Sequence, residues 1–454
     1  MAFVTTNPAT GEVVKTFDNH TAEEVDARLA RAAATFADFS RTTFAERARL
    51  LVTAAELLEG EIPDIARVLT TEMGKTFASA KGEAAKCANA MRWFADHAER
   101  LLADDVIEST ATTSLVRYQP LGPVLAVMPW NFPLWQVMRF AAPALMVGNV
   151  GLLKHASNVP QTALYLEDLF RRAGYPDGAF TTLLIGSGDV AGVIADDRVV
   201  AVTLTGSEAA GRSVAAAAGD VLKKCVLELG GSDPFVVLPS ADLDRAAAVA
   251  VQARVQNNGQ SCIAAKRFIV HADVYDRFTD RFTDGMASLT VGDPLDPATD
   301  VGPLNSRSQR EEIAGQVDDA RAKGAVVACG GDVPDGPGWY YPPTVLCEVT
   351  ADMRVFDEET FGPVAVVERA ADLDDAIALA NRTTFGLGSS VWTTDPADQA
   401  RCIDRIEAGQ VFVNAMVAST SEMPFGGIKR SGYGRELSAL GIKEFCNAKT
   451  VWIA

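Results

Sequence analysis

The sequence of 454 residues has few of the side chains that bind metals. It contains only four histidines, which are scattered, and its seven cysteines include no C-x-x-C pair. Zinc sites and disulfide frameworks place cysteine or histidine at short, regular spacings, so we expect neither, and no bound metal. An odd number of cysteines without such spacing is typical of a reducing compartment.

Basic residues are scarce relative to acidic ones. The chain has 41 Lys and Arg against 59 Asp and Glu, which gives a formal net charge of −18 at pH 7. A surface of this charge repels nucleic acids and anionic membranes, so we expect neither as a partner. The length, with 48% hydrophobic and 22% charged residues, is typical of a globular protein of two or three domains.

Long apolar runs are missing as well. The first residues, MAFVTTNPATGEVV, have neither the basic region nor the apolar region of a secretory signal. The most apolar stretch, PLGPVLAVMPWNFPLW (120–135), is interrupted by five prolines and glycines. Because a membrane-spanning helix needs about 20 largely apolar residues, we expect a cytoplasmic protein without a membrane partner.

The first hundred residues are predominantly helical in pattern. Helices are predicted at 21–39, 44–58 and 78–102, and Thr21 and Glu24 have the spacing of a capping box at the start of the first. A strand is predicted at 112–119, before a Pro-Gly-Pro turn.

The remainder of the chain alternates between strands and helices. From 124 to 238 the apolar runs VLAVM, VGLLK, TTLLI, AVTLT and CVLEL are separated by helical segments such as 159–173 and 207–218. This alternation predicts a doubly wound parallel sheet. A second α/β stretch runs from about 241 to 425, with strands predicted near 265–271, 344–349, 363–368 and 410–414.

One cysteine has unusual neighbours. Cys262 lies in NNGQSCIAAKRF (257–268), after a glycine and small polar residues and before two alanines and a basic pair. A cysteine attacks as its thiolate, so Cys262 is a candidate nucleophile; the alternative is a packed free cysteine. No histidine lies near it in the sequence, so a Cys–His dyad has no local support.

Two other residues have chemistry that suits a cysteine nucleophile. Glu228, in VLELGGSDPF, lies near the end of an apolar run, and burial there raises the pKa of a carboxyl group as a general base requires. An ion pair at the sheet edge is the alternative.

Asn131, in PWNFP, lies between two prolines and can donate its amide N–H to a developing oxyanion. The alternative is an ordinary asparagine in a turn.

Seven motifs occur between residues 129 and 436. They are PWNFP, LLKHAS, TLTGS, ELGGSDPF, NNGQSCIAAKR, EETFGP and PFGGIKRSGYGRE. In this order they closely resemble the aldehyde dehydrogenase superfamily over nearly the whole chain. The resemblance implies an α/β fold with a Rossmann-type cofactor domain, an α/β catalytic domain and a small β oligomerisation piece, in a homodimer or homotetramer. The implied boundaries are 1–110 with 121–230, 231–430, and 111–120 with 431–454, respectively.

The resemblance also implies a mechanism. Cys262 attacks the aldehyde, and Asn131 and the Cys262 backbone N–H hold the oxyanion. A hydride passes to a nicotinamide cofactor, and Glu228 activates the water that hydrolyses the thioester. The branch of the family that transfers the acyl group to coenzyme A characteristically lacks this glutamate, so hydrolysis is favoured.

The cofactor site has no G-x-G-x-x-G motif, since GSGDVAG (186–192) spaces its glycines differently. The resemblance implies instead that a helix starting at Gly206 and Ser207 has its N-terminus near the pyrophosphate. Lys154 would bind the adenine ribose and Glu359 the nicotinamide ribose. The other implied cofactor contacts are Trp130, Leu229 and Phe361.

The residue three positions after Lys154 favours NADP over NAD. Many NAD-preferring relatives have an acidic residue there, which pairs with the ribose 2′-OH. This chain has Ser157, which adds no negative charge and can donate to a 2′-phosphate beside Lys154. We therefore expect NADP, with NAD as the alternative. Ser157 as the N-cap of the next helix, and Lys154 as a solvated strand end, are the structural alternatives.

The substrate is indicated by the segment after Asn131. In FPLWQVMRF, Trp135 and Arg139 are four residues apart and share a face if the segment is helical. An arginine among apolar residues needs an anion, either an internal carboxylate or the far end of a short anionic aldehyde. The pattern resembles bacterial NADP-linked family members that oxidise succinate semialdehyde, in which case the substrate site also includes Ser261, Ser419 and Phe425.

Other functions stay open at this point. Glutarate semialdehyde or glyceraldehyde 3-phosphate is an alternative substrate, although a phosphate calls for more cations than the one that the sequence indicates. A thiol acyltransferase or thioesterase that uses Cys262 without a nucleotide is a more remote alternative. A catalytically idle relative is disfavoured because Cys262, Glu228 and Asn131 are all present.

Overall fold

The computed structural model describes residues 3–454. Numbered in chain order, the strands are β1 (Phe3–Thr6), β2 (Val13–Phe17), β3 (Asp105–Val106), β4 (Thr113–Pro120), β5 (Pro123–Met128), β6 (Val150–His155), β7 (Phe180–Thr182), β8 (Ala201–Thr205), β9 (Lys224–Glu228), β10 (Pro234–Val237), β11 (Arg267–His271), β12 (Val326–Cys329), β13 (Thr344–Cys347), β14 (Val364–Ala370), β15 (Ser390–Trp392), β16 (Phe412–Val413), β17 (Gly432–Tyr433) and β18 (Cys446–Ile453).

The helices alternate with these strands over most of the chain. They are α1 (Ala22–Phe39), α2 (Phe44–Gly60), α3 (Ile62–Met73), α4 (Phe77–Leu101), α5 (Trp135–Val147), α6 (Pro160–Arg172), α7 (Val190–Ala195), α8 (Glu208–Asp220), α9 (Leu243–Val255), α10 (Tyr275–Ala287), α11 (Arg307–Ala322), α12 (Arg354–Asp357), α13 (Leu373–Asn381), α14 (Pro396–Arg405) and α15 (Ser438–Lys443). Among residues 3–454, none of them combines the length and the apolar character that crossing a bilayer requires.

Two large sheets carry the fold. The first has the order β17-β9-β8-β5-β6-β7, and the second has the order β12-β13-β14-β11-β10-β15-β16. Both are parallel except at one edge, where β17 and β12 pair antiparallel with their neighbours. Their central strands are buried on both faces, which explains why these strands have continuous apolar runs rather than alternating ones. The α/β fold with a doubly wound sheet is therefore confirmed.

The sequence prediction was most accurate at the helix starts and in the first sheet. The side chain of Thr21 accepts the backbone N–H of Glu24 at 3.2 Å, and the Glu24 carboxylate accepts the backbone N–H of Thr21 at 2.8 Å, so the predicted capping box is confirmed. The five apolar runs between 124 and 238 correspond to β5–β9.

Short strands of the second sheet were missed. The segments β10, β12 and β15 have only three or four residues each, which is too few for a repeating pattern to be recognised. The strand predicted near 265 begins two residues later, at Arg267, because the residues after Cys262 form a turn.

A small third sheet has the order β18-β4-β3, and β18 pairs with β4 over its whole length. The C-terminal strand therefore forms the pair with strand 113–120 that was expected. The strand β17 lies within the range assigned to oligomerisation, but it pairs with β9 of the first sheet. The domain boundaries stay a prediction.

Helix α5 is the element that brings the site together. All of its residues are buried, and it ends at Gly148, whose φ of 100° lies in the left-handed region that favours glycine. Its N-terminus is bound by Glu83 of α4, whose Oε1 accepts the backbone N–H groups of Leu134 at 2.8 Å and Trp135 at 2.9 Å. The other Glu83 oxygen contacts the buried ammonium of Lys75. Helix α4 thus fixes where α5 begins.

Candidate active site

Two cavities meet at Cys262. The first, which we call the α5 cavity, has a volume of about 290 Å³ and lies among α4, α5 and residues 416–419. The second, the α8 cavity, has a volume of about 320 Å³ and lies at the N-terminal end of α8. Cys262 and Gln136 line both cavities. A thiol in this position faces two ligand spaces at once.

The residues expected at the site divide between the two cavities. The α5 cavity is lined by all five residues expected to bind substrate, Trp135, Arg139, Ser261, Ser419 and Phe425. The α8 cavity is lined by Asn131 and by most of those expected to bind cofactor, Trp130, Gly206, Ser207, Leu229, Glu359 and Phe361.

Lys154 and Ser157 line neither cavity. Lys154 is near the end of β6, where burial lowers its pKa, and Ser157 is exposed in the turn that follows. Helix α6 begins at Pro160 with Val159 as its N-cap and without a side-chain cap hydrogen bond. The alternative in which Ser157 caps that helix is therefore wrong, and its hydroxyl is not needed by the helix.

The Cys262 loop is held by a lysine that sequence reasoning missed. The ammonium of Lys266 is buried and donates to the carbonyl oxygens of Ser261 at 3.1 Å, Cys262 at 2.9 Å and Ala264 at 3.1 Å. Next to it, Arg267 donates to three other carbonyl oxygens. The sequence sign of this role was the basic pair in NNGQSCIAAKRF. Both side chains donate hydrogen bonds to backbone carbonyl oxygens rather than to a ligand.

The two asparagines before Cys262 shape the approach to it. Asn257 and Asn258 have φ values of 54° and 57°, the left-handed region in which asparagine is tolerated better than most residues. The side-chain amide of Asn257 donates to the carbonyl oxygens of Asn131 at 2.8 Å and Gln260 at 3.0 Å. The doubled asparagine therefore connects the Cys262 loop to the PWNFP segment.

Asn131 is buried and has spare hydrogen-bonding capacity. Its Nδ2 donates one hydrogen to the carbonyl oxygen of Gln260 at 3.1 Å, which leaves the second N–H for a ligand. Its Oδ1 has no hydrogen-bond partner among residues 3–454. The amide is thus fixed next to the loop of Cys262 with a donor to offer.

The thiol of Cys262 is not activated in this arrangement. Burial raises its pKa to about 12, although the charges of Arg139 and Lys266 act in the opposite direction. Because only the thiolate is a strong nucleophile, a ligand in the cavities or a nearby base has to help remove the proton.

Glu228 is close to the site but does not line either cavity. It ends β9, it is buried, and neither carboxylate oxygen has a hydrogen-bond partner among the described residues. A Cβ atom on Gly426 would lie 2.7 Å from its Oε1, so the glycine there makes room for the carboxyl group. Burial, and then the carboxylate of Glu436, raise the pKa of Glu228 well above its ordinary value. Its side chain has to turn toward Cys262 before it can act there.

Arg139 has an internal partner. Its Nε lies 2.7 Å from Oε2 of Glu436, and its guanidinium lies 4.4 Å from the centre of the Phe425 ring. Of the two partners that the sequence left open, the internal carboxylate is present, and Arg139 also lines the α5 cavity, so its binding of a substrate anion stays a prediction. Glu436 was missed although it is the last residue of the motif PFGGIKRSGYGRE, because the sequence of a motif does not show which distant arginine its glutamate contacts.

The α8 cavity has walls that suit part of a dinucleotide. Its walls combine two aromatic rings, Trp130 and Phe361, whose centres lie 5.8 Å apart in an edge-to-face arrangement, with residues 205–207, which lead into α8. Glu359 is held by the backbone N–H of Gly231 at 3.0 Å and lies 3.4 Å from Lys266 Nζ. A Cβ atom on Gly230 would lie 2.5 Å from the Glu359 carboxylate, so a larger residue there would displace that carboxylate.

Comparison with known proteins agrees with this arrangement. The sequence model of the aldehyde dehydrogenase family matches residues 1–451. The chain belongs to the aldehyde dehydrogenase family. Its expected fold, with a Rossmann-type sheet and a second α/β sheet, is the fold of that family and is confirmed.

Several aldehyde dehydrogenases are similar over their full length. The "Succinate-semialdehyde dehydrogenase [NADP(+)] 1" of Mycobacterium ulcerans (strain Agy99) is 63% identical, over 100% of both chains. The "Succinate-semialdehyde dehydrogenase [NADP(+)]" of Mycobacterium avium (strain 104) is also 63% identical, over 100% of this chain and 97% of that one. Among solved structures, the succinic semialdehyde dehydrogenase from Streptococcus pyogenes in complex with NADP+ is 39% identical, with a TM-score of 0.97 and 100% of both chains covered.

Proposed function

We propose that this aldehyde dehydrogenase oxidises succinate semialdehyde to succinate with NADP+. The observation that carries the proposal is the α5 cavity, which has Cys262 in its wall and two cations, Lys86 and Arg139, among apolar side chains. An aldehyde with a carboxylate at its far end matches both features. The relatives at 63% identity carry the name of that activity, and NADP+ is the cofactor in the Streptococcus pyogenes structure.

The first chemical step is the attack of the Cys262 sulfur on the aldehyde carbon. A carbon–sulfur bond forms, and the carbonyl π electrons move to the oxygen, which becomes negative. The free N–H of the Asn131 side chain and the backbone N–H of Cys262 stabilise that oxygen. Because Asn131 is fixed through Gln260 and Asn257, its donor needs no rearrangement as the charge develops.

The α8 cavity supplies the place for the cofactor. Gly206 and Ser207 at the start of α8 would hold the phosphates, Glu359 the nicotinamide ribose, and Trp130, Leu229 and Phe361 the apolar faces. When bound, NADP+ would supply the acceptor for the hydride whose loss from the former aldehyde carbon turns the adduct on Cys262 into a thioester. Lys154 and Ser157, outside the cavity, would hold the adenine ribose and its 2′-phosphate.

Hydrolysis completes the reaction. With its side chain turned toward Cys262, Glu228 takes a proton from water, whose oxygen attacks the thioester carbon. The carbon–sulfur bond then breaks, the carboxylic acid is released and Cys262 leaves as thiolate. A raised pKa suits Glu228 for this role, because a carboxylate with a higher proton affinity is the stronger base.

The proposal predicts a clear preference between two aldehydes of equal length. With NADP+, kcat/KM for succinate semialdehyde is expected to exceed that for butanal by ~10-fold or more, since a charge-assisted contact contributes 1.5–3 kcal/mol. Initial rates of NADPH formation measure it. Equal efficiency on both aldehydes would refute a site built for an anion, and no rate with any aldehyde would favour the thioesterase alternative.

Ser157 predicts the cofactor preference. Replacing it by Ser157→Glu places a carboxylate where the 2′-phosphate would bind, and KM for NADP+ is expected to rise ~10- to 100-fold while KM for NAD+ changes little. Ser157→Ala is the matched control, with a smaller rise. If neither variant changes the ratio of the two KM values, the serine does not contact the phosphate.

The edge strand β18 supports the expected association of subunits. Trp452 and Ile453 are more than half exposed in the single chain, on the sheet that β18 forms with β4. Exposed apolar strands at a sheet edge are normally covered by a partner, so a homodimer or homotetramer is proposed. The cytoplasmic location stays a prediction from the sequence.

A further inference from the structure

The ammonium of Lys266 uses all of its donors inside the protein. Its three N–H groups have three acceptors, the carbonyl oxygens of Ser261, Cys262 and Ala264. Only the charged form of a lysine has three N–H donors, so these contacts require the ammonium. Burial lowers the pKa of Lys266, and the carboxylate of Glu359, whose Oε1 lies 3.4 Å from Nζ, acts in the opposite direction. Glu359 thus helps to keep the lysine charged.

One of the three carbonyl groups belongs to the peptide that carries the proposed oxyanion donor. No cis peptide bond occurs in residues 3–454, so the N–H of the peptide between Ser261 and Cys262 points away from its C=O. The Ser261 oxygen accepts from Lys266 Nζ and from the backbone N–H of Ala264, each at 3.1 Å. These two contacts fix the plane of the peptide and therefore the direction of the Cys262 N–H.

The backbone N–H of Cys262 is free to bind a ligand. It donates to no acceptor among residues 3–454, although the residues on either side of it, Ser261 and Ile263, are buried. Most N–H groups inside a protein are paired, so a free one at this point is unusual. A carbonyl group that accepts from a cation is polarised, which makes the N–H of the same peptide a stronger donor.

Lys266 is anchored at its backbone as well as at its ammonium. Its backbone N–H donates to the carbonyl oxygen of Asp233 at 3.1 Å, in the segment ELGGSDPF. In the same segment, a Cβ atom on Gly231 would lie 2.6 Å from the carbonyl oxygen of Cys262, so this glycine lets the two segments approach closely. The lysine therefore lies between the Cys262 loop and the segment that follows Glu228, and it is fixed to both.

We propose that Lys266 is a positioning residue for aldehyde oxidation, which holds the Ser261 carbonyl and thereby directs and polarises the Cys262 N–H that stabilises the oxyanion. Lys266 lines neither cavity, so it acts through the loop and not on a ligand. The inference rests on the proposed covalent mechanism. It does not depend on which aldehyde is oxidised, because attack on any aldehyde places the negative charge on the same oxygen.

The test compares two reactions of the same sulfur. Aldehyde oxidation passes through an oxyanion, whereas iodoacetamide alkylates Cys262 by displacing iodide from a saturated carbon. In Lys266→Met, kcat/KM for succinate semialdehyde and for butanal is expected to fall by the same factor. That fall should exceed the fall in the alkylation rate constant by ~10- to 100-fold, because removing an oxyanion donor outright costs ~10²- to 10³-fold. Mass spectrometry of the peptide that contains Cys262 follows the alkylation.

Arg267→Met is the matched control. Arg267 is the next residue, it is also buried, and its side chain also donates to three carbonyl oxygens, those of Ser232, Leu379 and Ala380. None of these carbonyl groups lies in the Cys262 loop. Whatever stability the Arg267→Met variant loses, the ratio of its oxidation rate to its alkylation rate should stay as in the wild type.

The conservative variant Lys266→Gln keeps N–H donors near the loop and should lose a smaller part of the ratio. It carries the test if circular dichroism shows that Lys266→Met does not fold. Equal losses in oxidation and alkylation, or an equal change of the ratio in Arg267→Met, overturn the inference. If Cys262→Ala still oxidises aldehydes, the covalent mechanism fails and the inference with it; if Cys262→Ala is inactive and the Lys266 variants keep the wild-type ratio, only the inference fails.

Discussion

Replacing Cys262 with alanine is expected to abolish aldehyde oxidation, with kcat/KM for succinate semialdehyde falling by ~10⁵-fold or more, as happens when an enzyme loses its nucleophile. Without the sulfur no covalent intermediate forms, and the rest of the site can only bind its ligands. The measurement is the rate of NADPH formation at saturating cofactor. Binding of NADPH, followed by its fluorescence, should persist, since the α8 cavity keeps its other residues.

A second cysteine supplies the control for this experiment. Cys329 is also a free, partly exposed cysteine, but it lies on the edge strand β12 of the second sheet, far in the fold from both cavities. The Cys329→Ala variant should retain wild-type rates. Oxidation by Cys262→Ala at more than a trace rate would overturn the covalent mechanism altogether.

Replacing Glu228 with glutamine is expected to stop the enzyme after the first half-reaction. The carboxamide cannot take a proton from water, so steady-state turnover should fall ~10²- to 10⁴-fold. Attack and oxidation do not need that proton transfer, so one equivalent of NADPH per active site should still appear rapidly. Rapid mixing measures this burst, and mass spectrometry of the quenched protein should find the acyl group on Cys262.

The pH dependence of wild-type hydrolysis has a definite sign. Because burial and Glu436 raise the pKa of Glu228, its basic form becomes more abundant as pH rises toward and through that pKa. Steady-state turnover limited by hydrolysis should therefore increase with pH in the wild type and lose that dependence in Glu228→Gln. The exposed Glu422, near Ser419 in the chain, provides the control variant Glu422→Gln, which should behave as wild type. A variant at position 228 that turns over normally, without a burst, assigns water activation to another group.

How much of this could be read from the sequence depends on the kind of contact involved. Cys262, Asn131 and most of the α8 cavity lining lie in local motifs, and those motifs marked them in the sequence, whereas the contacts that hold them, such as Asn131 with Gln260, join distant motifs. Lys266 was visible as part of a basic pair, but its three carbonyl acceptors are set by a turn that no periodicity reveals.

The contacts of the two cations in the α5 cavity, Arg139 and Lys86, could not be predicted from the sequence for a different reason. Arg139 meets Glu436 from almost 300 residues away, and Lys86 meets Ser419 across 333 residues. Such contacts depend on how α4, α5 and the C-terminal segments pack, and local patterns carry no information about that packing. On a helix, Lys86 has the pattern of a solvated charge, and only the structure shows that its ammonium lies over the Trp135 ring.

The meeting of the two cavities at a single sulfur has a kinetic consequence. Since only Cys262 and Gln136 line both, the acyl group and the dinucleotide of the proposed mechanism would occupy separate spaces on either side of that atom. In the proposed mechanism, the reduced cofactor would then be able to depart while the acyl group remains attached to Cys262. We therefore expect NADPH release to precede hydrolysis.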